Sequence, residues 1–270
     1  MPRRFLLTAL IAPLILPAQS DVAFPKEVYA GRRARLAAQI PGAVAIIPGR
    51  HMAGDNGSGR QDSNFWYLTG VESRFAILVM APGRTALFLP EPYQFAGGQF
   101  PTLDEGFRRA VWNRPVRRLS PGKAASEATG IPETYPLDAF AGKLPGLAGA
   151  AETVYMTLDN APLYAPPGLS PPLSVHAQIA RSIAEKLPGK TISDLTPRVV
   201  RMRLVKDSYE IASLRRAAEI SGKGFEAAMR EIRPGRNDRE IAGLMEYVWK
   251  KEGSARASFA PVVASGPNSM

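Results

Sequence analysis

Cysteine is absent from this sequence of 270 residues. Disulfide bonds, zinc sites built on thiolates and cysteine nucleophiles are therefore excluded. A chain of this length does not need them, because hydrophobic residues make up 45% of it and charged residues 21%, a balance that is typical of a globular protein with a buried core. The sequence thus predicts a fold that is held together by hydrophobic packing.

Histidine is almost as scarce, since the chain contains only His51 and His176. Neither has a second histidine at the spacing that metal ligands take on a helix or a hairpin, so each is predicted to be an ordinary surface histidine. The sequence also lacks a Gly-x-Ser-x-Gly turn, which argues against a serine hydrolase triad. From the residues alone, no catalytic residue and no metal ligand is predicted.

A long run of one charge is lacking too, although the net charge is +10 at pH 7. A basic stripe would indicate a nucleic-acid partner, but the basic residues here are scattered, some of them as pairs. Examples of such pairs are Arg32-Arg33, Arg108-Arg109, Arg117-Arg118 and Arg215-Arg216. We therefore predict a solvated basic surface and no nucleic-acid partner.

The first twenty residues differ from the rest. Arg3 and Arg4 precede an apolar run at 5–16, and small residues lead to a cleavage point after Ser20. This is the layout of a secretory signal peptide. The alternative is a membrane anchor, but the run is shorter than the ~20 apolar residues that a span needs. The sequence predicts a signal peptide at 1–20, export to the periplasm or the medium, and no stable membrane span.

Short apolar runs bounded by Gly, Pro or Ser indicate strands in the following part of the chain. Strands are predicted at 43–47, 64–68, 75–80, 85–89 and 152–158, and helices at 27–40, 103–112, 124–128 and 174–187. The alternation of the two favours an α/β domain. The glycine-rich segment 54–59 is predicted to be a plain loop, because a strand rather than a helix is expected after it.

Two further helices are predicted beyond a link at 188–206. Asp207 and Glu210 have the form of a capping box. Apolar residues then keep helical spacing at Ile211, Leu214, Ala218, Phe225, Met229 and Ile232. A second helix is predicted between Asn237 and Gly253, followed by a strand at 258–264 that leads into a turn.

Four segments resemble a known family. Residues 29–36 read YAGRRARL and residues 60–70 read RQDSNFWYLTG, and both are similar to the N-terminal domain of the Xaa-Pro aminopeptidase (aminopeptidase P) family. Residues 201–207 read RMRLVKD and residues 259–268 read FAPVVASGPN, and these resemble the beginning of the "pita-bread" catalytic domain of the same family. The segments occur in the family's order.

The resemblance implies an α/β fold in two parts. A mixed-sheet, creatinase-like N-terminal domain is expected at 21–190. It is followed at 191–270 by an incomplete α+β pita-bread domain.

The resemblance also implies a metal-dependent peptidase as the parent protein. In that family two divalent ions, with manganese expected, are held by two Asp, one His and two Glu, all of which follow a Gly-x-Asn turn beside the substrate site. Gly266 and Asn268 match that turn, and the sequence stops at Met270, so no ligand can be carried over. The implied substrate is a peptide with proline at the second position, a homo-oligomer is compatible, and the 270-residue chain alone is expected to be inactive.

Two alternatives stay open. A proline dipeptidase or creatinase-like hydrolase shares the fold, but the motif at 60–70 favours the aminopeptidase. A non-catalytic module that binds peptides or proteins, or that serves assembly, would use the same scaffold without metals, and it is the better interpretation if the protein ends at Met270.

Overall fold

The computed structural model describes residues 23–50, 61–73, 75–90, 119–158, 167–168, 170, 173–254, 257–259 and 261–269. The chain divides into two compact units between Arg203 and Leu204. This division lies within the link predicted at 188–206 but later than the boundary expected after residue 190. The last strand of the first sheet and the helix after it account for the difference, because both pack in the first unit.

The first unit contains a six-stranded mixed sheet with helices on both faces. Its strands are β1 (Val44–Pro48), β2 (Ile77–Ala81), β3 (Arg84–Leu89), β4 (Glu133–Pro136), β5 (Thr153–Met156) and β6 (Thr191–Asp194). Its helices are α1 (Lys26–Ala37), α2 (Ser63–Thr69), α3 (Lys123–Thr129), α4 (Phe140–Ala148), α5 (Val175–Lys186) and α6 (Thr196–Leu204). A short 3₁₀ turn, Leu137–Ala139, precedes α4.

The strand order is β4-β3-β2-β1-β5-β6. β1 pairs antiparallel with β2, and β2 pairs antiparallel with β3. The three other pairings are parallel: β3 with β4, β1 with β5, and β5 with β6. The three central antiparallel strands, β1 to β3, therefore have parallel neighbours on both sides. Parallel pairs need crossover connections, which place helices on the faces of the sheet.

Both faces of β1 are buried, and successive residues serve different cores because side chains alternate along a strand. Ala45 and Ile47 belong to a cluster built with α1, α2, α3 and α6. Val44 and Ile46 belong to a second cluster, built with α4 and α5. This two-sided burial explains why β1 is an uninterrupted apolar run rather than an alternating one.

The predicted mixed α/β sheet is confirmed, and the expected strands at 43–47, 75–80, 85–89 and 152–158 coincide with β1, β2, β3 and β5 within a few residues. The helices expected at 27–40, 124–128 and 174–187 coincide with α1, α3 and α5. The helix predicted at 103–112, the loop at 54–59 and the signal segment at 1–20 lie outside the described residues. None of the helices in the described ranges has the length and hydropathy to cross a membrane.

The strand predicted at 64–68 is wrong, because this segment is the helix α2. The carboxylate of Asp62 caps its beginning by accepting hydrogen bonds from the backbone N–H groups of Asn64 (2.9 Å) and Phe65 (2.8 Å). Gly70, with φ +69°, ends it in the left-handed conformation. The aromatic residues favour a strand by propensity, but the capping and the packing of both ends decide otherwise.

The second unit contains two helices, α7 (Ser208–Glu231) and α8 (Asp238–Lys251). The predicted capping box is confirmed, since Asp207 and Glu210 exchange hydrogen bonds of 3.1 and 3.0 Å. Asn237 caps α8 as expected. The segment 258–264 is predicted to be a strand without a partner in this sequence. Its described residues form no ladder with another described segment, so it is not part of a sheet there.

The two helices pack through a small core of Ala228, Ile241 and Met245. Gly224 allows the closest approach, because a Cβ at that position would collide with the indole of Trp249. Elsewhere the predicted apolar stripe of α7 faces solvent. Its members include Leu214 (58% exposed), Phe225 (58%), Met229 (69%) and Ile232 (64%).

Gly224→Ala should destabilise the α7–α8 pair by about 1–3 kcal/mol, because the added methyl group displaces Trp249. Gly222→Ala is the matched control: it lies on the same helix with open space around it, and alanine should stabilise the helix by up to about 1 kcal/mol. Amide hydrogen exchange of residues 208–251, recorded at increasing urea concentration, measures the stability of the helix pair in both variants. Equal stability of the two variants would show that the contact does not constrain the pair.

Candidate functional site

The turn predicted beside the substrate site is a single turn of 3₁₀ helix, Gly266–Asn268. Gly266 has φ +56°, where glycine is favoured. The backbone N–H of Ser269 donates to the Gly266 carbonyl at 3.1 Å and closes the turn. Both predicted residues, Gly266 and Asn268, therefore belong to one turn, and its Gly266 end is exposed to solvent.

A metal centre does not fit the residues that the structure describes. Across the described ranges, no three side chains from Asp, Glu, His and Cys lie close enough together to hold a metal ion. No metal-dependent step can therefore be assigned to these residues, and the role of Gly266 and Asn268 beside a substrate stays a prediction.

His176 is buried, with 5% of its surface exposed, so the prediction of a surface histidine is wrong at this position. The periodicity of α5 gives the reason. His176 precedes Ile179 and Ile183 by three and seven residues, which places it on the same stripe that packs toward the sheet. His51 lies outside the described residues.

The clearest constellation of polar contacts lies around α2, in the segment that carries the motif RQDSNFWYLTG. Sequence reasoning used this motif for recognition and missed its structural role. The signal that could have revealed the helix was the pair Asp62 and Gly70, which flank the segment as an N-cap and a left-handed stop.

Arg32 and Arg33 of α1 bind the last turn of α2. Nη1 of Arg32 donates to the carbonyl of Tyr67 at 3.0 Å, and its guanidinium carbon lies 4.1 Å from the centre of the Tyr67 ring. Nη1 of Arg33 donates to the carbonyl of Leu68 at 2.9 Å, and its Nη2 donates to the carbonyl of Thr129 at 3.3 Å. These carbonyls end α2 and α3, where cations are favoured by the helix dipole.

Burial of this pair corrects the prediction of a uniformly solvated basic surface. Arg32 is fully buried and Arg33 is 6% exposed, and burial lowers the pKa of Arg33 to about 10 because it disfavours the charged form. The pair Arg215-Arg216 is exposed as expected. The other two pairs lie outside the described residues.

Gly70 is fixed by two constraints at once. Its φ of +69° is costly for any residue with a Cβ, and a Cβ there would collide with the ring of Tyr29. Tyr29 and Arg32 both belong to the segment YAGRRARL. The two motifs that resemble the family's N-terminal domain therefore contact each other directly.

Gln61 joins four backbone groups at the beginning of α2. Its Oε1 accepts from the N–H groups of Arg50 (2.6 Å) and Asp62 (2.9 Å). Its Nε2 donates to the carbonyls of Val71 (3.3 Å) and Ser73 (2.7 Å). One amide side chain thus ties the end of β1 to the segments on both sides of α2.

Asn64 and Tyr67, on the body of α2, contact the end of α6. Nη1 of Arg203 donates to Oδ1 of Asn64 at 2.7 Å, and the hydroxyl of Tyr67 donates to the carbonyl of Met202 at 3.3 Å. Arg203 and Met202 belong to the third of the four segments that resemble the family, RMRLVKD.

Two family models match the chain in succession. The model described as "Aminopeptidase P, N-terminal domain" matches residues 29–155, and the model "Metallopeptidase family M24" matches residues 212–270. Together they account for more than half of the chain, in the order expected from the sequence. The chain belongs to the aminopeptidase P family.

Individual relatives agree with this assignment. An Xaa-Pro aminopeptidase of Haemophilus influenzae is 26% identical over 250 residues, which cover 90% of this chain and 52% of the relative. An Xaa-Pro dipeptidase of Pyrococcus horikoshii is 38% identical, but over only 65 residues, or 24% of this chain and 18% of the relative. Among solved structures, the aminopeptidase PepP of Pseudomonas aeruginosa matches with a TM-score of 0.67 and 26% identity, over 86% of this chain and 50% of that one.

The chain spans about half the length of the aminopeptidases that it matches. Strands β1 to β5 of the described sheet fall almost wholly within the part matched by the N-terminal-domain model, and α8 and most of α7 fall within the part matched by the metallopeptidase model. The contacts around α2 join α1, α2, α3 and α6 within the first unit.

Gln61→Glu should destabilise the first unit by about 3 kcal/mol near neutral pH, because a carboxylate oxygen would face the carbonyls of Val71 and Ser73. A protonated carboxyl group can donate again, so the folded state raises the pKa of the new carboxyl side chain at position 61. The loss in free energy of unfolding therefore shrinks as the pH falls through this raised pKa. Gln39→Glu is the control: Gln39 is exposed, lies two residues after the end of α1 and donates to the carbonyl of Arg35 at 3.3 Å, so the change should cost less than about 1 kcal/mol. Denaturant midpoints at several pH values measure both. A deficit that is independent of pH would contradict the assigned donor role of Gln61.

Proposed function

We propose that this chain is the N-terminal part of a metal-dependent aminopeptidase that releases the residue preceding a proline. The observation that carries the proposal is the succession of the two family matches, the N-terminal domain of aminopeptidase P at 29–155 and the M24 metallopeptidase at 212–270. A peptide bond to proline has no N–H, so an enzyme that acts on it needs a site dedicated to that bond.

An aminopeptidase is favoured over a dipeptidase by the extent of the similarity. The aminopeptidase of H. influenzae aligns with 90% of this chain, whereas the dipeptidase of P. horikoshii aligns with 24%. Several aminopeptidases also align over only about a quarter of this chain, so the support for an aminopeptidase comes from the alignments that extend over 90% of it.

The proposed cofactor is a pair of divalent ions, with manganese as the first candidate. Their ligands are not among the described residues, so the proposal places them in a continuation of the protein beyond Met270. The proposed substrate is a peptide with proline at its second position, and a homo-oligomer is compatible with it.

The 270-residue chain should release no alanine from Ala-Pro-Ala in the presence of Mn²⁺, because a two-metal site needs several converging ligands. The protein translated from the same reading frame continued past codon 270 should release alanine from Ala-Pro-Ala but not from Ala-Ala-Ala, and a chelator should abolish the release. Free alanine measured by chromatography decides both cases.

Three outcomes would contradict this proposal. Alanine release by the 270-residue chain would mean that the active site lies within these residues. A continued protein that cleaves Ala-Pro but not Ala-Pro-Ala would be a dipeptidase. A stop codon directly after Met270, together with peptide binding by the chain, would favour the binding-module alternative.

Export is the second part of the proposal, and it rests on the arginines, the apolar run and the small residues of segment 1–20. Expression in a bacterial host should yield a periplasmic protein that begins at Asp21. N-terminal sequencing of the periplasmic fraction measures this. A membrane-bound product that retains Arg3 and Arg4 would support the anchor instead.

A further inference from the structure

The end of α6 is the point where the chain leaves the first unit. Leu195 and Val199 are fully buried in the core beneath the sheet, and Met202 packs against the same core. Burial then stops abruptly: Leu204 is 67% exposed and Val205 is 82% exposed. Since the units divide between Arg203 and Leu204, hydrophobic packing secures the helix only up to the turn before the division.

Two hydrogen bonds from α2 meet that last turn. The carbonyl of Met202 is one of the final four carbonyls of α6, which have no partner within a helix, and the hydroxyl of Tyr67 donates to it at 3.3 Å. The guanidinium of Arg203 donates to Oδ1 of Asn64 at 2.7 Å. These contacts join residues more than 130 positions apart in sequence, so they arise from the tertiary fold rather than from local helix geometry.

The acceptors and donors on α2 are themselves held in place. Tyr67 is 3% exposed and Asn64 is 8% exposed. Arg32 fixes the backbone of Tyr67 through its carbonyl and lies over its ring. The cap at Asp62 fixes the first turn, in which Asn64 lies. The end of α6 is therefore bonded to a rigid support.

We propose that Asn64 and Tyr67 form a latch that holds Met202 and Arg203, and thereby fixes the exit point of the chain from the first unit. With the latch closed, α6 stays helical to its end and the link begins at Leu204. With the latch open, the last turn of α6 frays and the link lengthens, while the sheet stays folded. The proposal goes beyond the peptidase function and does not depend on it.

The test uses the 270-residue chain and two single substitutions. Tyr67→Phe removes only the hydroxyl, and Asn64→Ala removes the carboxamide whose Oδ1 accepts from Arg203. A net hydrogen bond of this kind corresponds to about a fivefold change in a local opening equilibrium. Amide exchange in residues 200–206 should therefore accelerate about fivefold in each variant, and more in the double variant.

Trypsin provides a second measurement, because it cleaves after Arg203 and after Lys206, on either side of the beginning of the link. Cleavage at these two positions should accelerate in parallel with exchange, since proteolysis follows the population of the open form. Exchange in β1, residues 44–48, should be unchanged, because the latch does not contribute to the sheet.

Matched controls remove the same groups elsewhere in the first unit. Tyr135→Phe loses a hydroxyl that donates to Glu133 at 2.9 Å, and Ser73→Ala loses a buried acceptor of the Leu119 N–H. Neither should accelerate exchange at 200–206 by more than about twofold.

Two results would overturn the proposal. Unchanged exchange and cleavage at 200–206 in the double variant would show that the bonds do not hold the helix end. Equal acceleration in 200–206 and in β1 would show that the substitutions only lower the stability of the whole unit.

Discussion

The burial of Arg32 and Arg33 against the last turn of α2 is the constraint on which the packing of the first unit depends. Two adjacent guanidinium groups are removed from water, and the carbonyls of Tyr67, Leu68 and Thr129 accept hydrogen bonds from them. Burying a cation costs free energy unless acceptors bind its N–H groups and nearby negative potential offsets its charge. The C-terminal ends of two helices supply both acceptors and negative potential, so α1, α2 and α3 can assemble only in the arrangement that brings those ends to the arginines.

This constraint also explains why α2 exists. A helix of seven residues is not stable in isolation, and its sequence, SNFWYLT, is rich in aromatic residues that favour strands. Asp62 satisfies donors at one end, and the two arginines satisfy acceptors at the other. Gly70, pressed against Tyr29, turns the chain into the segment that leads to β2. Tertiary contacts at both ends therefore decide the secondary structure of the segment between them.

The sequence predicted what depends on local pattern and failed where distant contacts decide. The uninterrupted apolar run of β1, the stripe of α5 and the capping box at Asp207 each carry their signal within a few residues, and each was predicted. The burial of Arg32 and Arg33 depends on carbonyls about 35 and 96 positions away, and charged side chains are rarely expected inside a fold. The helix α2 had local signals in Asp62 and Gly70, but the strand propensity of its aromatic residues outweighed them in the prediction. At the candidate site, the turn at Gly266–Asn268 could be predicted from its glycine and proline. A metal site could not be predicted, because the described residues contain no cluster of potential metal ligands.

Three of the segments by which the chain resembles its family thus make structural contacts with one another. YAGRRARL and RQDSNFWYLTG contact each other, and RMRLVKD is joined to the second of them through Asn64 and Tyr67. Each contact has its own physical reason: a buried charge, a left-handed glycine or a terminal helix carbonyl that has no partner within its own helix. Such contacts carry no reactive group. They instead hold the end of α6, where the chain leaves the first unit. Among the described residues of the second unit, the core of the α7–α8 pair contains three buried side chains, and the apolar stripe on α7 is largely exposed. Contiguous exposed apolar residues of that kind are typical of interaction surfaces, whereas the sheet of the first unit has helices on both of its faces.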